Sequence, residues 1–176
     1  GISLFSKEYK NRTGEFLLTK PYSRTSIFLQ KLSAALCAGV IIGLFYAMPS
    51  IAAMNMSVSE PYSIVILVQI GLSTIFIFIF FLVFGFLVGT KLPNIGSPMP
   101  ISFAAAFFAY VLQAFSNKTG VDFVGYFSPY MYFQGAGIIQ NGSYDFIRML
   151  LFILISAVLL ILSLRIFSKS DVKTVS

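Results

Sequence analysis

Residues 63–89 read SIVILVQIGLSTIFIFIFFLVFGFLVG, 27 positions without a charge. A helix crosses a bilayer with about 20 largely apolar residues. At about 1.5 Å per residue this stretch exceeds the hydrocarbon core, so tilt or overhang is expected. Working outward, three further stretches qualify as spans. Leu32–Met54 (LSAALCAGVIIGLFYAMPSIAAM) is uncharged, with Pro49 expected to kink it or end its regular part. Ile101–Ser116 is short and rich in Ala and Phe, near the lower limit for a span. Phe146–Ile166 (FIRMLLFILISAVLLILSLRI) carries Arg148 and Arg165 at opposite ends, placed to snorkel.

The composition of the 176 residues agrees with a lipid-facing chain. Hydrophobic residues make up 57% and charged residues 10%, with a mean hydropathy of +0.88. Soluble domains carry roughly a quarter charged residues, so this chain lacks the polar surface that water requires. Disorder is excluded by the same apolar content. The single Cys37 rules out an internal disulfide framework and a cysteine zinc cluster. Without histidine there is no imidazole acid–base chemistry and no His metal ligand. No signal peptide is visible. Gly1–Phe5 reads like the end of an apolar segment, so further spans are expected to precede it.

One apolar stretch behaves differently. VDFVGYFSPYMYFQGAGIIQNG (Val121–Gly142) is interrupted by Gly125, Pro129, Gly135 and Gly137 and is rich in aromatics. Backbone broken this often cannot face lipid unpaired, and tyrosines favour the membrane–water interface. A re-entrant or interfacial element is expected, and not a fifth span. The basic residues fit four spans: Lys7, Lys10, Arg12, Lys20, Arg24, Lys31, Lys91, Arg165, Lys169 and Lys173 fall on one side, with only Lys118 and Arg148 on the other. The positive-inside rule then places both chain ends in the cytoplasm. The net charge of +6 reports topology, and nucleic acid is a poor explanation for it.

Ahead of the first span, Ser6–Lys31 reads SKEYKNRTGEFLLTKPYSRTSIFLQK. Glu8 and Arg12 form an i,i+4 helical pair. Thr13 can cap a short turn through Glu15, Phe16, Leu17 and Leu18, which Lys20–Pro21 disfavours continuing. Ser23 can cap the helix that starts near Arg24 and runs into the first span. Physics alone leaves two readings of this short amphipathic helix: it lies on lipid, or it docks into a groove on a cytoplasmic partner.

The run EYKNRTGEFLLTKPYSR closely resembles the segment that defines permease subunits of ABC-2 type ABC transporters. Glu8, Thr13, Glu15, Phe16, Leu17, Leu18, Pro21, Ser23, Arg24 and Lys31 stand at matching positions, while Gly14 is a less usual occupant. YFSPYMYFQGAGIIQNGSY (Tyr126–Tyr144) resembles the family's segment before the last span. Together the two matches frame nearly the whole chain. The resemblance implies an all-α integral membrane fold: a cytoplasmic coupling-helix segment (residues 1–31), a membrane domain (32–166) holding the last four of six spans with an external re-entrant segment, and a cytoplasmic tail (167–176). It also implies a permease subunit of an exporter, with no cofactor of its own, whose ATP and Mg sit on a separate ABC ATPase subunit. Consistently, the chain has no Gly-rich loop ending in Gly-Lys-Ser/Thr. Phe16, Leu17 and Leu18 would be the apolar anchors on that ATPase, with Glu15, Pro21 and Arg24 as polar or structural partners. A second permease subunit, identical or related, would complete the transporter in the bilayer.

Other features carry paired readings. Gly39/Gly43 and Gly85/Gly89 permit close helix approach, either as a dimer seam or within one chain. Gln69, with Ser73 and Thr74, and Gln113 line a translocation path or make interhelical hydrogen bonds. Tyr126, Tyr130 and Tyr132 form an external gate or an interfacial belt. No ionisable residue lies deep in a span, which argues against a proton relay. The competing function is a non-transporting membrane scaffold or sensor that docks a partner through the same amphipathic helix. An integral-membrane enzyme ranks third.

Overall fold

A computed structural model describes residues 1–3, 23–57, 63–92 and 96–169. Among these, four long helices are apolar enough to cross a membrane: α1 (Arg24–Ser57), α2 (Ile64–Lys91), α3 (Pro98–Thr119) and α6 (Phe146–Lys169). Between α3 and α6 lie the short α4 (Asp122–Gly125), a 3-10 turn η1 (Pro129–Phe133) and α5 (Gly135–Asn141). The described residues contain no strand. The chain is thus an all-α, multi-pass membrane protein.

Local chemistry sets the helix ends. Ser23 caps α1, its Oγ accepting from the Ser26 amide at 3.2 Å. Pro98 opens α3, where a missing N–H costs no intrahelical bond. Gly120, at φ 72°, closes α3 in the left-handed conformation, its amide donating to Ser116 O at 2.9 Å. Asp145 caps α6: its Oδ1 accepts from the Ile147 and Arg148 amides at 2.9 and 3.3 Å. Its other oxygen lies 3.5 Å from Arg148 Nε.

Two boundaries differ from the sequence reading, and of the two outcomes expected at Pro49 only the end of the helix is set aside. α1 continues through Pro49 to Ser57. Proline removes one backbone donor, but lipid provides no water for the neighbouring groups to bond instead, so the helix persists around the defect. The span that reads shortest, Ile101–Ser116, sits inside the 22-residue α3, about 33 Å long and sufficient to cross the core.

Ring contacts give the relative directions. Phe28 near the start of α1 packs edge-on against Phe86 near the end of α2, at 5.2 Å. A Cβ at Gly39 would overlap the Phe78 ring, and one at Gly43 would lie 2.9 Å from Ile75 Cγ1. α1 and α2 are therefore antiparallel, and Gly39/Gly43 is the seat for α2 within the chain. α2 and α6 run parallel: Phe76 meets Tyr144 just before α6, Phe80 meets Phe152, and Leu160, Leu164 and Phe167 pack against the cluster that holds Leu82 and Phe86. The start of α1 and the ends of α2 and α6 consequently share one end of the bundle, with Lys31, Lys91 and Arg165. Lys118 and Arg148 belong to the other end.

Two small cores hold the bundle. One joins Phe28, Leu32, Leu82 and Phe86 at the basic end; the other joins Tyr132, Phe133 and Phe152 at the opposite end. Elsewhere large apolar side chains point outward: Phe45 is 74% exposed, Phe103 71% and Phe108 64%. A surface of this kind is stable only against lipid or further apolar protein.

Candidate functional site

Residues 121–142 do not span. The sequence Gly-Tyr-Phe-Ser-Pro breaks α4 at Gly125, and Ser128 then caps the 3-10 turn, its Oγ accepting from the Tyr130 amide at 3.3 Å. Pro129 occupies the first position of that turn. Ser128, Pro129, Met131, Tyr132 and Phe133 are all buried. The segment therefore carries interrupted backbone into the protein, and the freed carbonyls need donors.

Side chains supply them. Gln113 Nε2 donates to Tyr130 O at 3.1 Å, Ser116 Oγ to Val121 O at 3.1 Å, and the Tyr132 hydroxyl to Tyr126 O at 2.7 Å. Gln134 Nε2 donates to Asn117 Oδ1 at 3.0 Å. The level of Gln113, six residues before Thr119, places Tyr130 about 9 Å below the end of α3. Gln134 returns one turn shallower, beside Asn117. The result is a short hairpin folded back beside the last two turns of α3. Gly125 makes its tight entry possible, since a Cβ there would stand 2.6 Å from Ser116 Oγ and 2.9 Å from Met131 Sδ.

The opposite side of the hairpin is aromatic. Phe133 stacks on Phe76 at 5.3 Å and meets Phe152 edge-on at 4.8 Å. Tyr132 contacts Phe152 at 5.8 Å, and Tyr130 contacts Phe81 at 5.8 Å.

Tyr126, Tyr130, Tyr132 and Gln113 thus meet in one assembly. Gln69 is held differently. Its main-chain oxygen accepts from Ser73 Oγ at 2.9 Å and from the Tyr144 hydroxyl. Its side-chain Oε1 is buried with no hydrogen-bond partner. Sequence reasoning gave no such contacts to Ser116, Asn117, Gly125 or Tyr144. The signal for the first two was their i+3 and i+4 spacing from Gln113. The coupling-helix residues Glu15, Phe16, Leu17, Leu18 and Pro21 lie outside the described residues, and Arg24 is the first residue of α1.

Four long apolar helices, with an interrupted aromatic hairpin packed among them before the last, define a polytopic α-helical membrane protein. The model of the ABC-2 family transporter proteins matches residues 1–172, and the chain belongs to that family. No curated protein and no solved structure matches it. Family membership makes the chain a membrane permease component of an ABC transporter, not itself an enzyme, and implies association with an ABC ATPase.

Proposed function

We propose that this chain is the membrane subunit of an ATP-driven exporter and that the short helix through Glu15, Phe16, Leu17 and Leu18, followed by Pro21 and Arg24, is the element through which a separate ATPase subunit drives it. The family match across residues 1–172, which includes the Glu15-Phe16-Leu17-Leu18 segment, carries this reading. ATP and Mg bind the ATPase, which docks on Phe16, Leu17 and Leu18, with Glu15, Pro21 and Arg24 shaping the contact. Its closure switches the spans, paired with those of a second permease subunit, between inward-open and outward-open states. The basic end of the bundle faces the cytoplasm, which the excess of Lys and Arg supports. Tyr126, Tyr130 and Tyr132 gate the outer end. Gln69 offers the path a buried, unpaired amide oxygen, and Gln113 on α3 holds the gate segment through Tyr130 O.

An exposed aromatic anchor at such a contact is worth about 2 kcal/mol or more. Phe16→Asp should therefore weaken capture of the ATPase about 30-fold while membrane insertion is unchanged. Co-purification from detergent extracts measures it; undiminished capture with transport intact would sink the assignment.

A further inference from the structure

The hairpin is fastened on its two sides by contacts of different kinds. Toward α3 they are polar and specific. Gln113, Ser116 and Asn117 lie at i, i+3 and i+4, hence on one face of α3, and they hold Tyr130 O, Val121 O and Gln134. Breaking the first two strands a backbone carbonyl where no water replaces the donor. The close approach at Gly125 adds a steric lock.

Toward α2 and α6 the contacts are rings on rings: Phe133 with Phe76 and Phe152, Tyr132 with Phe152, Tyr130 with Phe81. Such a surface exchanges one ring neighbour for another without stranding a polar group. Among the described residues, α3 packs chiefly on α4 and also on η1, η1 touches α2 and α6 as well, and α2 packs along both α1 and α6.

We propose that α3 and residues 121–134 move as one body, and that the aromatic seam against α2 and α6 is the surface on which that body slips. Gln113 is the positioning residue that keeps Tyr130 on α3 while it moves. This deepens the gate described above and rests on it: the gate tyrosines travel with α3 and part from Phe76, Phe81 and Phe152 when the outer end opens.

Pulsed electron paramagnetic resonance on the full-length protein in bilayers tests this. In a Cys37→Ser background, one spin-label pair at Phe103→Cys and Phe127→Cys lies within the body. A second, at Phe127→Cys and Leu162→Cys, lies across the seam. The first should keep one narrow separation in every condition. The second should show two separations differing by about 5 Å, one helical turn, whose populations shift when the partner ATPase is added with ATP and vanadate. Gln113→Leu should broaden the first pair, and Asn117→Leu provides a second variant with the same expected effect. A first pair that shifts as much as the second, or a second pair single and narrow throughout, overturns the proposal. Two separations across the seam that ignore nucleotide would support the one-body motion and overturn the ATP-coupled reading.

Discussion

Gly39 and Gly43 show how one missing side chain organises two helices. Lipid tails are as apolar as the helices themselves, so association in a membrane relies on close packing rather than on escape from water. The Phe78 ring occupies the volume a Cβ at Gly39 would need. Gly39→Ala should therefore cost about 1–3 kcal/mol, measured as reversible unfolding in detergent. Phe78→Ala should recover about 1 kcal/mol of that loss in a double-mutant cycle; strict additivity would show that the two sites do not meet. Tyr132 depends on a directed bond. Tyr132→Phe keeps the ring contact with Phe152 and removes the donor to Tyr126 O, with an expected cost of about 1 kcal/mol. Faster amide exchange over residues 125–133 would report it.

At the scale of elements, the end of each helix is where sequence chemistry is most local. Asp145 caps α6 with one carboxylate oxygen and lies beside Arg148 with the other. Asp145→Ala should destabilise the start of α6 by about 1 kcal/mol, whereas Asp145→Asn should retain most of the cap and lose only the partly solvated charge contact. Comparing the two unfolding midpoints separates cap from charge. The interrupted hairpin is the opposite case. The prolines and glycines between Val121 and Gly142 announce that no span forms there, because each breaks a backbone ladder that lipid cannot replace. They do not announce which donors rescue the freed carbonyls. Gln113 read equally well as a path residue, and only the fold puts its amide on Tyr130 O.

At the scale of the whole molecule, the parallel course of α2 and α6 and the antiparallel course of α1 place Lys31, Lys91 and Arg165 at one end. With Cys37→Ser as background, Lys118→Cys should react with a membrane-impermeant maleimide in intact cells. Lys91→Cys should react only after permeabilisation. The reverse pattern would invert the topology and put the coupling segment outside. Four spans, one interrupted segment and a lopsided charge distribution were legible from residues alone, because spanning length, backbone satisfaction and the cost of moving cations across lipid are properties of a sequence read in one dimension. The ABC-2 character was legible too, through the Glu15-Phe16-Leu17-Leu18 run and the Tyr126–Tyr144 segment. Sequence spacing could not say whether Gly39/Gly43 seats a second copy or α2, whether Pro49 ends α1, or which face of α3 grips the hairpin. Those outcomes depend on which surfaces meet: a small-residue stripe or an amide fits many partners, and only the packed arrangement of α1, α2, α3 and α6 selects one.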